Sequence, residues 1–501
     1  PAEVAAGLVA GVSAPLIAAL IPARQAARVD PTLVLHPGSA PEIFPLPSRP
    51  LALAGAGMLL CALLLSLGSL HGGPALLGFA AAFCVITGFS LMVPSVTSWT
   101  ANRIRELAIL PHVPGGAVIR LAVEQALRSL HRTAPTIAAL AAAVAMTVGI
   151  SVMIHSFRGS VVAWANRTLT ADLFLAPAAN ELLGLAHTLP EGSAGWWSAR
   201  PEVAAVGTFH EAEVRTTSGE PVTLGVVSGP ARGTLDFLHG DVWKKTGMLN
   251  RGEGIAVSES LAQRLHLKSG DQLSLETPSG PLVLPVLDLY RDYTRDRGIA
   301  LIDEDLYRHA WGVRGIHSLA IEFRKGTSAA QMDRDRAAYF SAFGGKESFA
   351  CYSNRSLKDR ILEIFNQTFA VTAVLRTISI AVAVGGVMLT LGILVLERSR
   401  DIGVLRSMGG SRSQIALIMM AEAVLIGLIA SVIGLVSGAV LSLVLTWVIN
   451  KAFFGWSIDL SYPWLELLLL PLWMTATSLV AGLMPAYRAS SIQPATALRM
   501  E

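Results

Sequence analysis

Residues 51–70 read LALAGAGMLLCALLLSLGSL, twenty positions without a charged side chain. Wound as an α-helix at 1.5 Å per residue, twenty residues reach roughly 30 Å, the depth of a bilayer's hydrocarbon core. One such stretch could equally be a helix buried in a soluble core. Six more make that reading untenable: 4–23, 74–102, 134–154, 377–396 and 467–484 carry no Asp, Glu, Lys or Arg, and 415–449 carries only Glu422. Composition agrees. Of 501 residues 52% are hydrophobic and only 15% charged, against roughly 25% charged in soluble domains. The chain therefore reads as a polytopic α-helical membrane protein of about seven spans.

The stretch 156–367 is different. It holds 23 Lys and Arg and 25 Asp and Glu, a soluble domain's charge density. Thr217-Ser218-Gly219 separates 211–216 from 221–227, and Pro278-Ser279-Gly280 separates 272–276 from 282–287; both pairs read as β-hairpins. Ser258 is placed to cap a short helix over 259–266, and 298–303 followed by 305–311 reads as strand then helix. This is one large α+β domain between the fourth and fifth spans.

Arginine orients the spans. Alternate span ends carry Arg24, Arg28 and Arg49; then Arg103, Arg105, Arg120, Arg128 and Arg132; then Arg398, Arg400, Arg406 and Arg412; then Arg488 and Arg499. The opposite short loops are poor: 71–73 has no Lys or Arg and 450–462 has only Lys451. The positive-inside bias puts the Arg-rich ends in the cytoplasm and the 156–367 domain outside. Trp447, Phe453, Phe454, Trp456 and Trp464 then form an outer aromatic belt, and 117–131 reads as an amphipathic helix on the inner leaflet.

Several function classes drop out. A net charge of +3 makes no case for nucleic acid. Cys61, Cys84 and Cys351 are too few for a disulfide framework or a Cys-based zinc site, and the histidines lack ligand spacing. There is no G-x-x-x-x-G-K-[ST], G-x-S-x-G or H-E-x-x-H. Asp288, Asp292 and Asp296 could pair as glycosidase carboxylates. Arg291, Arg295 and Arg297 between them favour a solvated salt-bridge loop instead. Glu422 is the one carboxylate inside a span, where charge is costly. It reads either as an interhelix contact that transmits motion or as a carboxylate satisfied at the interface or in the bundle. Gly434-x-x-x-Gly438 lets another helix approach closely, from this chain or from a counterpart in a complex.

Two segments repeat. Pro22, Ala23, Ala26, Pro31 and Leu35 recur at an offset of 463 as Pro485, Ala486, Ala489, Pro494 and Leu498. Each copy follows an apolar span, so its first proline is expected to end the membrane helix, with a short Ala/Arg helix lying along the inner surface. The first copy reads as the close of an earlier unit of the same kind, most of it upstream of residue 1.

Between the fifth and sixth spans, Glu397-Arg398-Ser399-Arg400-Asp401 alternates in charge, and Ile402, Leu405 and Met408 recur at helical spacing. Gly409-Gly410 breaks this short amphipathic helix, and Ser411 is placed to cap the next one. Periodicity leaves two readings open: a lever for a cytoplasmic partner, or a basic loop anchored at the membrane.

The run Glu397-Arg398-x-Arg400-Asp401-Ile402-Gly403-x-Leu405-Arg406-x-x-Gly409 resembles the signature E-R-x-R-E-I-G-x-L-R-x-x-G of FtsX-like ABC transporter permeases, the type VII (MacB/LolCDE-like) transporters. Asp401 stands where Glu is usual. On that resemblance 1–38 is the last span and tail of a preceding FtsX-like unit and 39–110 a linker with two central spans, as in two-unit, ten-span permeases. Residues 111–155 are then an elbow helix and span, 156–367 a MacB-type periplasmic core-like domain, and 368–501 a three-span permease domain. The resemblance implies a permease subunit, not an enzyme, in a bacterial inner membrane. It would couple ATP hydrolysis on a separate ABC ATPase to extracytoplasmic work: export or extraction of lipid, lipoprotein, peptide or drug. ATP and Mg would sit on that partner, with no cofactor or metal on this chain. Other implied partners are membrane lipid and an extracytoplasmic adaptor or substrate protein. Residues 397–415 would dock the ATPase, Arg398, Arg400 and Arg406 supplying charge and Ile402 and Leu405 an apolar ridge. Leu405→Asp or Gly403→Pro would then uncouple the ATPase and spare the membrane fold. The alternative is a membrane-anchored receptor or scaffold without transport.

Overall fold

The computed structural model describes residues 48–106, 124, 130–180, 187–229, 235–312, 315–397 and 399–491, with scattered positions between 9 and 24. Two apolar helices come first, α1 (Ser48–Leu70) and α2 (Leu76–Glu106). They touch backbone to backbone, since a Cβ on Gly55 would lie 2.7 Å from the carbonyl of Gly88. Next, α3 (Leu130–Thr168) has 39 residues, so it is ~58 Å long, about twice what a bilayer core needs. Its C-terminal half, which leads into the head, is the first stalk.

The stalk feeds a head built on one nine-stranded mixed sheet. In chain order its elements are β1 (Leu173–Pro177), α4 (Ser193–Ser198), β2 (Val203–Arg215), β3 (Pro221–Val227), α5 (Val242–Asn250), β4 (Ile255–Ser258) and α6 (Glu259–Leu265). Then come β5 (Gln272–Thr277), β6 (Gly280–Tyr290), β7 (Ala300–Asp303), α7 (Glu304–Trp311), β8 (Ser318–Phe323), α8 (Ala329–Phe343) and β9 (Phe349–Ser353). Spatial order is β5-β6-β4-β7-β3-β2-β8-β1-β9. Both expected hairpins form, β2 with β3 and β5 with β6. Ser258 caps α6 through its hydroxyl, which also accepts the Ile299 N–H at 2.9 Å. One core packs Leu224, Val257, Leu275 and Ile302; a second packs Trp197, Leu319, Ile321 and Tyr339.

From β9 the chain enters α9 (Asn354–Glu397), a single helix of 44 residues. Asn354 ties it to the first stalk: its Nδ2 donates to the carbonyls of Leu169 and Ala171, both at 2.7 Å. A short helix, α10 (Ser399–Ser407), follows. Then come α11 (Arg412–Leu443), a π turn over Val444–Ile449, α12 (Asn450–Phe454) and α13 (Trp464–Ser491).

Among the described residues five helices are long and apolar enough to cross a bilayer: α1, α2, α3, α11 through α12, and α13. The described side chains of α9 contribute the apolar stretch Val384–Leu396. The expected span at 4–23 and the amphipathic helix at 117–131 lie outside the described residues apart from isolated positions, and Pro22, Pro31 and Pro494 lie outside them entirely. At Pro485 the structure differs from expectation. The proline is buried inside α13, and the helix runs on to Ser491. Proline removes one backbone hydrogen bond, and in a packed bundle the neighbouring helices hold the rest of the ladder in place.

Lipid tails are as apolar as leucine, so close van der Waals fit must hold the helices together. Small residues on α11 supply it. A Cβ on Gly434 would meet Val144 Cβ at 2.5 Å, and one on Gly438 would meet Val148 Cβ at 2.5 Å. Both partners are on α3, so the Gly434/Gly438 face is filled within this chain. On the other side Gly427 sits on Ser478, and Gly482 of α13 sits on Ala423. Glu422 is completely enclosed, 0% exposed, and does not snorkel to the surface.

Two expectations follow for stability. Gly438→Ala must displace Val148 and the Ala145 carbonyl 2.9 Å away, at a cost of roughly 1–3 kcal/mol; adding Val148→Ala should recover part of it. Thermal unfolding in detergent checks this, and a wild-type melting temperature for Gly438→Ala would contradict the contact. In the head, His317 Nδ1 accepts the Glu211 N–H at 3.0 Å. Burial, and then His210 beside it, lower the His317 pKa from 6.5 to about 4. The unfolded chain takes up this proton first. The stability held by the neutral ring is therefore complete above the unfolded value of about 6.5 and is lost as pH falls toward about 4. Melting temperature against pH should flatten in that window in His317→Gln; an unchanged profile would contradict the assignment.

Candidate functional site

At the end of α9 remote from the head, the chain makes a rigid turn. Gly409 takes φ +100°, a left-handed conformation that costs other residues about 1–2 kcal/mol. The Gly410 N–H bonds the Leu405 carbonyl at 2.9 Å and the Gly409 N–H bonds that of Arg406 at 3.2 Å, closing α10 as a Schellman motif. A Cβ on Gly410 would fall 2.8 Å from the Leu405 oxygen. Ser411 opens α11 with a capping box: its hydroxyl accepts the Gln414 N–H at 3.2 Å, and its own N–H bonds Gln414 Oε1 at 2.9 Å.

The apolar ridge of α10 faces inward. Ile402, 6% exposed, packs with Val395, Ile415, Met419, Ala486 and Ala489, and half-buried Leu405 packs against them. Gly403 is buried too, and Arg406 donates to the Ser490 carbonyl of α13 at 3.4 Å. Within this chain the apolar ridge expected to dock a partner is covered by the bundle. Ile402 and Leu405 seat the lever on its own bundle, so Leu405→Asp and Gly403→Pro would damage that seat as well as any docking. The residues turned outward are Val404, 40% exposed, Met408, 79% exposed, and Ser407, Arg412 and Ser413. The side chains of Glu397, Arg398, Arg400 and Asp401 lie outside the described residues.

At the other end of the spans a collar joins stalks, head and the loop before α13. Phe157, Val161 and Trp164 of α3 pack with Phe365 and Phe369 of α9, Tyr293 of the head and Ile458 of the loop. Trp456, expected in the aromatic belt, stacks instead on Phe157 and Phe454, with ring centroids 5.7 and 4.9 Å away. Trp447, Phe453, Phe454 and Trp464 are exposed. Hydrogen bonds fix the loop to both neighbours. The Ser156 and Ser160 hydroxyls accept the N–H groups of Ser461 and Asp459, each at 3.0 Å. The Tyr293 hydroxyl donates to the Ser457 carbonyl at 2.7 Å. Glu259 accepts the Ser457 N–H at 3.1 Å and its hydroxyl at 2.5 Å, and Arg291 spans the Asp459 carboxylate at 3.1 and 3.3 Å. Burial raises the Glu259 pKa, with the Ser457 bonds opposing. These partners stand far apart in sequence, and no local spacing marks them.

The loop expected to be solvated is partly buried. Asp288 is 0% exposed and bonded to Lys245 Nζ at 2.6 Å. Burial works against its charge, but Lys245 and the N–H groups of Leu289 and His239 hold its pKa below the usual carboxylate value. Asp292 is buried with Thr294 on its carboxylate, while Asp296 and Arg297 stay exposed. The three do not converge as a carboxylate pair on a cleft. Among the described residues no three His, Cys, Asp or Glu side chains are grouped to hold a metal.

Residues 373–494 match the family model of the FtsX-like permease C-terminal domain. An uncharacterized ABC transporter permease protein of Mycobacterium tuberculosis is 30% identical over 512 residues, 99% of this chain and 58% of that protein. The macrolide export ATP-binding/permease protein MacB of Escherichia coli (strain K12) is 28% identical over 194 residues, 38% of this chain and 28% of that protein. The chain thus spans well under two thirds of either relative. Among solved structures, the periplasmic region of MacB from Actinobacillus actinomycetemcomitans covers 39% of this chain and 94% of its own, at 9% identity and a TM-score of 0.30. The extracellular domain of the noncanonic ABC-type transporter YknZ from Gram-positive bacteria covers 36% and 99%, at 14% identity and a TM-score of 0.27. The chain carries an FtsX-like permease domain, which includes the lever and the helices it is seated on, and is a homologue of ABC transporter permeases.

Proposed function

We propose that this chain is the transmembrane permease subunit of an ABC transporter and couples ATP hydrolysis on a separate ATPase to work outside a bacterial inner membrane. The observation that carries the proposal is α9, which starts at a strand of the head and ends at the lever after 44 residues. At 1.5 Å per residue that is ~66 Å, so head and lever are separated by more than the bilayer core. In this reading the lever is cytoplasmic, residues 156–367 are the extracytoplasmic domain, and 368–501 form the permease domain.

The ATPase docks on the outward side of the lever, through Val404, Met408 and Arg412. Arg412 sits in the first turn of α11, where the helix dipole disfavours a cation; a carboxylate on the partner compensates it. ATP and Mg reside on that partner. A push on α10 acts through its seat on Val395, Ile415 and Ala486, so α9, α11 and α13 move with it. The collar passes that motion to the head. The work done there is export or extraction of an amphiphilic or peptide cargo, a class to which the macrolide named for the MacB relative also belongs.

The purified complex is expected to contain a P-loop ATPase. Met408→Asp with Val404→Asp should lower ATP turnover in the complex at least about tenfold, with an unchanged melting temperature because both side chains are exposed. Full turnover in that variant would overturn the docking surface, and transport without any ATPase would favour the receptor or scaffold reading. At the collar, Ser457→Ala with Tyr293→Phe should leave ATP turnover intact and depress transport, measured in vesicles. Equal loss of both activities would contradict a purely transmitting collar.

A further inference from the structure

A cleft of ≈ 840 Å³ opens between the head and the outer ends of the spans, a volume within the range of small-molecule sites. Its floor is the α1–α2 turn and α12; its roof is α6 and the 296–297 turn of the head. The floor is apolar and open: Leu70, Phe453 and Phe454 are 47, 53 and 44% exposed. The lining is cationic, with Arg264, Lys268 and Arg297 in the roof and Lys451 of α12 in the floor, against the carboxylates of Glu259 and Asp296. Four cations against two carboxylates leave the positive charge in excess.

Two polar groups point to an occupant. The Ser69 hydroxyl lines the cleft, is 7% exposed and makes no hydrogen bond. The Nε of partly buried Arg264 is also shielded and unpaired, although its Nη2 donates to the Pro221 carbonyl at 2.8 Å. Buried donors without partners are uncommon, because each forfeits its hydration. A headgroup oxygen lying over the floor would give the Ser69 hydroxyl its partner.

We infer that this cleft binds an anionic, phosphate-headed lipid of the outer leaflet, its headgroup among Lys451, Lys268 and Arg297 and its chains along the apolar floor. Position decides for a lipid over a soluble anion. The floor lies at the ends of α1, α2 and α12, where a bilayer's headgroups and first methylenes meet the protein. Phe79 of α2 packs edge-on against Phe453 with centroids 5.4 Å apart, which continues the apolar surface from the cleft down the spans. The bound lipid bridges head and membrane on the side of α12, next to the collar.

The test uses the whole protein in detergent, without nucleotide or ATPase, so its outcome is independent of the transport reading. Dihexanoyl phosphatidylglycerol, dihexanoyl phosphatidylcholine and inorganic phosphate are titrated and binding is read by thermophoresis. The anionic lipid should bind at least about tenfold more tightly than the zwitterionic one. Lys268→Gln, Arg297→Gln and Lys451→Gln combined, all exposed positions whose melting temperature should hold, should abolish that preference. Equal affinity for both lipids, or a preference that survives the triple variant, would overturn the site. Phosphate binding as tightly as the anionic lipid would make it an anion site and overturn the lipid assignment.

Discussion

The backbone hydrogen-bond ladder of α9 is the constraint on which the rest depends. Each residue of its interior bonds four positions back, so the helix resists bending over its whole length. It places a nine-stranded head and a short lever at opposite ends of one rigid element. Asn354 pins its start to the first stalk, and the cluster around Ile402 pins its end to α11 and α13. In the proposed mechanism, motion at one end is expected to appear as a tilt or shift of the whole bundle.

That bundle holds together by fit. Lipid offers helices no hydrophobic reason to associate. The glycines of α11 and α13 therefore let backbones meet side chains at the contact limit, with Val144 and Val148 seated on Gly434 and Gly438. A helix packed this closely on both sides has little room to shift without its neighbours, because protein interiors are close-packed and poorly compressible. The enclosed Glu422 sits on this same helix, one turn from Ile426 of the central core.

Much of the fold was legible in the sequence. The membrane class follows from charge-free windows, and the hairpins from turn triplets such as Thr217-Ser218-Gly219. Ser258 and Ser411 announce caps because a short oxygen side chain before an apolar run has one obvious use. Other features were not legible, for physical reasons. Ile402 and Leu405 repeat at helical spacing whether they meet a partner or their own bundle; periodicity reports an apolar stripe but not its cover. Pro485 reads as a stop, yet tertiary packing carries the helix through it. The collar escaped because Arg291 and Asp459, or Glu259 and Ser457, meet only through the tertiary fold. The loop around Asp288 looked solvated because alternating charges in a sequence do not reveal which carboxylate turns inward to Lys245.

A head and a lever on opposite faces of one membrane are the core of the account, and impermeant thiol labelling of intact cells tests it most directly. In a chain freed of Cys61, Cys84 and Cys351, a single cysteine at exposed Ser279 in the β5–β6 hairpin and one at exposed Met408 are compared. The Ser279→Cys protein is expected to react in whole cells and the Met408→Cys protein only after permeabilisation. Reaction of both from the same side would contradict it.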